Sequence, residues 1–438
     1  MAGGTWTTQN KVRPGVYINF QSAGGPVGTV GERGTVTVPL PLSWGESKKV
    51  IEINAGDDVK TILGYDITAA QLLLVKEALK RAKTLLLYRL NTGTKATKTV
   101  GTLTATAKYS GARGNDLSLV IQTNVDDAAK FDVKTVLAGQ VVDTQVVASI
   151  AELVANDWVV FSGTGTLTAT AGAALTGGAD GTVTNQDYTD YLSAIELYEF
   201  QTMALPSTDA TLKSVVVSFV RRLREMEGRK IQVVLENYRN PDFEGVISVK
   251  NGVILADGTT LDARQAVVWV AAATASAEIN QSLTYAAYDD AVDANPRYTN
   301  SQIETALLNG EFLFVQNKGR AIVEQDTNTF RSYTPTKTKV FSKNRPIRVL
   351  DGINNDFKRI FETYYIGKVN NNDDGRNLFR KECINHLETL QGIGAIQNFD
   401  AETDLAVVQG ADSDSVAVEL YVQPVDSIEK IYFSIKVK

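Results

Sequence analysis

The run DATLKSVVVSFVRRLREMEGRKIQVVL, residues 209–235, decides the fold class. Leu212, Val215, Val216, Phe219 and Leu223 recur at helical spacing, so Asp209–Glu227 reads as an amphipathic helix that Gly228 stops. Ile231–Leu235 follows as an apolar strand, the pattern of one buried in a sheet flanked by helices. A helix feeding into such a strand is one unit of an α/β sheet. The alternation extends in both directions. Upstream lie a strand at Gly34–Leu40, a helix at Thr68–Ala82 with Leu72, Val75, Leu79 and Ala82 in register, a strand at Leu85–Leu90, a helix at Tyr188–Tyr198 and a strand at Thr202–Leu205. Downstream come an Ala-rich helix at Leu261–Ala277 and strands Glu311–Val315 and Arg320–Gln325 flanking the turn Asn317-Lys318-Gly319. Helices near Asn354–Val369 and Asp374–Gln391 and strands 416–423 and 429–437 complete the chain.

Composition shifts inside this pattern. Residues 93–182 are rich in Thr, Gly, Ala and Val, and the heptapeptide GTLTATA occurs at 101–107 and again at 165–171. The two copies are expected to be paired strands opening and closing an inserted β-rich domain, with one helix at Asp143–Ala155. The expected architecture is therefore a multidomain α/β (α+β) chain: a mixed-sheet core domain with flanking helices, an inserted β domain, and extended terminal β-strand arms. The expected limits are 1–33 for an N-terminal arm and linker, 34–92 for a first α/β segment, 93–182 for the insertion, 183–415 for the core domain and 416–438 for a C-terminal arm.

Both ends read as strands. After Arg13-Pro14-Gly15, Val16, Ile18 and Phe20 alternate with Tyr17 and Asn19, and a Gly-rich stretch from Gly24 to Gly34 follows as a hinge. At the other end Ile431, Phe433, Ile435 and Val437 alternate with Tyr432, Ser434, Lys436 and Lys438. A terminal strand either pairs within its own sheet or offers unpaired N–H and C=O groups to another chain. Two of them suggest a subunit that links to copies of itself.

At 438 residues, two to four domains are expected. A net charge of −6 argues against a nucleic-acid partner, and no apolar stretch is long enough to span a bilayer. The start Met1-Ala-Gly-Gly-Thr lacks the charged and apolar regions of a secretion signal, so folding in the cytoplasm is expected.

A search for chemistry finds little. One cysteine forbids an internal disulfide, and Cys383 with His386 on one helix lacks the further ligands a zinc site needs. There is no phosphate-binding loop of the GxxxxGK[ST] type, and Gly163-Thr164-Gly165 lacks the third glycine and following helix of a dinucleotide site. Gly111–Asp116 reads as a turn between strands, with anion binding as the alternative. Asp289, Asp290 and Asp293, before Asn295-Pro296, read as a solvated loop, with a divalent-cation site as the alternative. Asp373-Asp374 sits where a helix begins, which its N-terminal dipole favours.

Arg13-Pro14-Gly15-Val16-Tyr17, Tyr109-Ser110-Gly111-Ala112-Arg113-Gly114-Asn115, Val268-Trp269-Val270-Ala271-Ala272-Ala273-Thr274-Ala275 and Asp351-Gly352-Ile353-Asn354, taken in order over nearly the whole chain, resemble contractile phage tail sheath proteins. The likeness is greatest to sheaths of defective prophage particles and R-type bacteriocins of Gram-positive bacteria. The resemblance implies a non-enzymatic structural subunit without cofactor or metal, assembled in the bacterial cytoplasm into a phage tail or tail-like particle. Its implied partners are copies of itself in a six-fold ring stack, a tail tube protein, and baseplate and tail terminator proteins. It implies inter-subunit strands at Val16, Tyr17, Ile18 and Phe20, at Val418, Leu420 and Val422, and at Ile431, Phe433, Ile435 and Val437. It also implies a tube-attachment helix, assigned to Asp374–Gln391 with Arg376, Arg380 and Lys381 facing acidic tube groups. The competing readings are a metal-dependent hydrolase using Asp289, Asp290 or Glu304, and a surface-layer or adhesin-like binding protein. On the sheath reading, removing residues 1–20 or cutting before Ser427 leaves a folded monomer that cannot form tubes.

Overall fold

A computed structural model describes residues 2–4, 15–17 and 30–437, with side chains from residue 30 onward. The chain divides into two compact units, Glu32–Asp351 with Asp426–Lys438, and Met1–Gly31 with Gly352–Val425. The boundary between Asp351 and Gly352 falls inside the segment 183–415 read above as a single core domain.

The larger unit is built on a seven-stranded sheet in the order Glu311–Phe312, Val246–Val249, Gln232–Glu236, Thr202–Leu205, Thr35–Leu40, Thr84–Arg89, Val50–Asn54. Every neighbouring pair is parallel except the last, where Val50–Asn54 runs antiparallel to Thr84–Arg89. The side-chain period of two sorts the strands into two cores. Val36, Val38, Leu85, Leu87, Ala204, Val234 and Ile247 point to one face. Leu86, Tyr88, Met203, Leu205, Val233, Leu235 and Val246 point to the other.

On the first face lie the short helix α1 (Val59–Leu63), α2 (Leu73–Leu79) and α5 (Ala263–Ser276). Helix α5 is buried all round because its alanines let backbones approach closely, and Trp269 stacks on Tyr288 at 4.3 Å. Arg33 closes its C-terminal end by donating to the carbonyls of Thr274 and Ala277. On the second face lie α3 (Asn185–Ile195) and α4 (Ala210–Glu225). Asp209 caps α4 by accepting from the Thr211 and Leu212 N–H groups at 2.7 and 3.0 Å. Helix α6 (Asn300–Leu308) precedes a hairpin, Phe314–Asn317 with Arg320–Val323, whose turn residues Lys318 and Gly319 both have positive φ, as a two-residue primed turn demands. Ala291–Asn295, expected as a loop, is a strand paired antiparallel with Gly252–Leu255.

The insertion is a β-sandwich. One sheet has the order Gln140–Val147, Phe131–Leu137, Leu117–Thr123, Thr170–Ala174, and the other Val159–Ser162, Leu103–Ala107, Thr97–Val100. The helix expected at Asp143–Ala155 is absent. Val141, Val142, Val146 and Val147 are β-branched and belong to a strand, and only one 3-10 turn, Ile150–Glu152, follows. Nor do the heptapeptide copies pair. The first supplies Leu103–Ala107, with Leu103, Ala105 and Ala107 buried, while the second becomes strand only at Thr170 and belongs to the opposite sheet. Identical local pattern therefore took two structures, decided by which neighbours each copy meets. The domain enters and leaves through crossing backbones: a Cβ on Gly93 would lie 1.8 Å from the Ala179 carbonyl oxygen, and one on Gly181 1.6 Å from that of Thr92. The Gly111–Asp116 turn is held by its own chain, since the Asp180 carboxylate accepts from the Ala112 N–H at 2.7 Å.

Helix α7 (Asn344–Tyr364) begins ten residues before its expected start and carries Gly352 in its interior. Burial of Ile347 and Val349 outweighs the ~1 kcal/mol that an interior glycine costs, and Pro346 falls in the first turn, where its missing N–H has no intrahelical partner to lose. In the smaller unit α8 (Asp373–Gly392) starts at the Asn372 cap with Asp373 and Asp374 in its first turn. Phe361 of α7 stacks on Phe379 of α8 at 4.0 Å. Leu405–Gln409 and Val416–Leu420 form an antiparallel hairpin, and Ile396–Gln397 pairs with Gln423–Pro424.

Candidate inter-subunit surfaces

The C-terminal segment offers the clearest unused surface. Tyr432, Phe433, Ile435 and Val437 are each 84 to 93% exposed, and Ile431 68%. Both alternating faces are open, and residues 426–437 form no strand. The expected strand 429–437 is thus unpaired here. An isolated extended segment cannot satisfy its own backbone.

Strand 416–423 is not free in the same way. Val416–Leu420 is one arm of the hairpin, with Val418 opposite Val407 and Leu420 opposite Leu405, and Val422 lies beyond the strand's end. Among the described residues each hairpin strand has one edge paired with no other strand. Val408, Val416 and Val418 are exposed on it.

At the N-terminal end, the backbone of Gly15–Tyr17, which includes Val16 and Tyr17, pairs in parallel with Ala2–Gly4. Ile18 and Phe20, and the hinge read at Gly24–Gly34 up to residue 29, lie outside the described residues. The root of this arm is held within the smaller unit. Both carboxylate oxygens of Asp356 accept from the Gly31 N–H, at 2.9 and 3.1 Å, and a Cβ on Gly31 would fall 2.5 Å from one of them.

Helix α8 buries Cys383, His386, Leu387 and Leu390. Arg376 is paired with Asp373 and donates to the Asn371 carbonyl at 3.2 Å, and Arg380 donates to the Ala401 carbonyl and to Glu402. Lys381 is exposed, beside Asn377, Leu378 and Glu388. The structure therefore places two of the three basic residues against their own chain and one toward solvent.

The groups considered for chemistry are accounted for structurally. Asp289 pairs with Arg81 and accepts from the Trp269 indole N–H at 2.9 Å. Asp290 is largely exposed and pairs with Lys80 at 3.7 Å, and Glu304 on α6 accepts from the Asn300 amide at 3.3 Å. Among the described residues no group of three or more His, Cys, Asp or Glu could hold a metal ion. Cys383 is buried, and that burial pushes its thiol up to about 12, far from a reactive thiolate. Burial likewise lowers the pKa of His386, 3.6 Å from Asp356. Asp289→Ala is expected to cost about 1–2 kcal/mol of stability, because it strands the Trp269 donor and the Arg81 charge, and to leave metal-dependent hydrolysis at the level of the parent protein. A thermal melt beside a hydrolysis assay with added divalent metal checks both.

Sequence reasoning missed the ties that hold the arm roots, Asp356 to Gly31 and Glu429 to Lys343, since they join residues far apart in the chain. Nothing local marks them.

From residue 33 onward the chain matches four family models in order: the tail sheath protein Gp18 domain III N-terminal region over residues 33–90, the phage tail sheath protein beta-sandwich domain over 91–180, the phage tail sheath protein central domain over 181–329, and the phage tail sheath C-terminal domain over 336–438. It is 39% identical over 466 residues to the phage-like element PBSX protein XkdK of Bacillus subtilis (strain 168), covering all of both chains. It is similar to the crystal structure of a sheath tail protein from Desulfitobacterium hafniense, with 62% identity, a TM-score of 0.87, and 97% of this chain and all of that one covered. The helical sheath of the anti-feeding prophage in its contracted state shares the fold, with a TM-score of 0.56 at 12% identity over 98% of this chain and 100% of that one. The four sheath domains matched in order, the whole-chain identity to a phage-like element protein and the shared fold place this chain in the phage tail sheath family, as a structural subunit of a contractile tail sheath.

Proposed function

We propose that this chain polymerises around an inner tail tube as a helical stack of six-fold rings, and that its terminal strands join neighbouring copies by strand addition. The carrying observation is the segment Ile431–Val437, open on both faces, in a chain whose Leu405–Gln409 and Val416–Leu420 hairpin has outer edges that pair with no other strand among the described residues. Ile431–Val437 of one copy, with Val16–Phe20 of another, adds to that hairpin, so Val418 and Leu420 act as acceptor and the two arms as donors.

Magnitudes explain why such links work only in a lattice. Burying Ile431, Phe433, Ile435 and Val437 contributes roughly 6–12 kcal/mol at about 1.5–3 kcal/mol each. Ordering the backbone costs about 1–2 kcal/mol per residue, a similar total for the seven residues from 431 to 437. One link alone is therefore marginal, and linked copies hold by multivalency. The extended sheath is a metastable state kept loaded by its barrier, and contraction gains contacts between folded domains with no nucleotide or catalysis.

Attachment to the tube is assigned to α8, with Lys381 as its exposed cation and Arg376 and Arg380 released from their own-chain partners as they engage. Exposed ion pairs are screened by salt, so they set register yet break as the sheath moves outward. Baseplate and terminator proteins would contact the two ends of the stack. The test is electron microscopy of purified protein across concentration, with and without tubes of the cognate tail tube protein. Striated hollow tubes support the reading; a monodisperse monomer under every condition overturns it. Lys381→Glu is expected to reduce co-sedimentation with tubes by several-fold at low salt and much less at 0.5 M salt, while sheath polymers still form.

A further inference from the structure

Among the described residues, the Glu429 side chain makes the only hydrogen bonds and ion pair that tie residues 426–437 to the rest of the larger unit. Its carboxylate accepts from the Thr284 hydroxyl at 2.8 Å and the Gln325 amide at 2.6 Å, and it pairs with the Lys343 ammonium. Only 11% of its side chain, and 13% of that of Lys343, is exposed. The three partners come from three places: the loop after α5, the strand end after Arg320–Val323, and the residue before α7.

A second tier braces these donors. The Thr284 hydroxyl accepts from the Asp326 N–H at 3.0 Å, and the buried Asp326 carboxylate accepts from the Leu283 N–H at 3.0 Å and from the Asn344 amide at 2.8 Å. Burial alone would raise the Glu429 carboxyl, but Lys343, Thr284 and Gln325 outweigh it and hold it below the ordinary carboxylate value. From Lys430 onward every described residue is exposed. The carboxylate is the last fixed point of the chain.

We propose that Glu429 is the positioning residue of the C-terminal arm: it sets where Ile431–Val437 leaves the subunit and takes the load when a neighbouring copy holds that strand. This inference rests on the strand-addition reading above. Without the anchor, residues 426–430 become a slack linker with about 12 Å of play, from the usual 5–6 Å times the square root of the residue number. Delivery of the strand then loses effective concentration and register.

The test places a dye on the arm through Lys436→Cys, since the native Cys383 is buried and unreactive. In the monomer, read well below its melting transition, Glu429→Ala and Glu429→Gln are expected to lower the anisotropy of the dye, and Glu429→Ala, which leaves Lys343 without its partner in a largely buried site, to lower the thermal midpoint by several degrees as well. The double exchange Glu429→Lys with Lys343→Glu is expected to restore part of the anisotropy. In assembly, the concentration needed to pellet polymer rises on the order of tenfold for Glu429→Ala. Unchanged anisotropy in both single variants, together with polymers as resistant to urea as the parent's, would sink the anchor. If removal of residues 431–438 prevents assembly while Glu429→Ala does not, the anchor alone fails and strand addition stands. If that truncation assembles normally, strand addition fails and the anchor has no load to carry.

Discussion

Removing residues 431–438 leaves a monomer with the thermal midpoint of the full chain that forms no tubes. The first half follows from exposure: none of the described residues from Ile431 to Val437 is covered, so their loss removes no packing and strands no buried group. The second follows from their pattern, since they carry the alternating apolar face that a neighbouring sheet edge would bury. Loss of all tubes is a larger effect than any point change in one strand gives, because every subunit loses a link at once. The cut after Lys430 is cleaner than one before Ser427, which also removes Glu429 and disturbs Lys343, Gln325 and Thr284 in the larger unit. Sedimentation and negative-stain microscopy at matched concentrations, beside a thermal melt, check both halves. Tubes of normal length from the truncated chain would show that linkage lies elsewhere.

Arg224→Met is expected to be strongly destabilising to the larger unit. Arg224 is on α4, with 3% of its side chain exposed, and donates to both oxygens of Asp351, at 2.6 and 2.8 Å, and to the Ile231 carbonyl at 2.8 Å. Burial works against the guanidinium's charge, and Asp351 and Glu244 more than offset it. Deleting the arginine leaves Asp351 with no partner in a largely buried site. Breaking a buried pair from one side costs about 3–5 kcal/mol, far above the ~1 kcal/mol of a surface pair. At about 2–4 °C per kcal/mol for a large domain, the midpoint falls on the order of 10 °C. Asp351→Asn, which keeps an oxygen acceptor for Arg224 and leaves that guanidinium with Glu244 at 3.9 Å, is expected to cost less. A melt in which Arg224→Met matches the parent within 2 °C would refute this account of the site.

Both predictions depend on features that differ in how visible they were beforehand. The alternation at Ile431–Val437 is a local, period-two signal, and it is legible because a strand's faces are set by neighbouring residues in the chain. The pairing of Arg224 with Asp351 spans 127 positions and carries no local mark. Asp351 stands in the sequence only as part of a family-like run, and nothing in the sequence singles out Arg224.

The sequence by itself determined the α/β alternation, the strand at Gln232–Glu236 between covering helices, the primed turn at Lys318-Gly319, the start of α8 and the β-rich nature of the insertion. These rest on periodicity, capping and turn chemistry, which act over a few residues. Only the tertiary structure decided that Gln140–Val147 is a strand, that the two copies of one heptapeptide enter opposite sheets, and that α7 runs through Gly352. It also decided that Arg380 turns toward Ala401 and Glu402, and that the Glu429 carboxylate pairs with Lys343. In each case the local preference is worth about 1 kcal/mol or less, and burial or a charged partner brought from a distant segment contributes more.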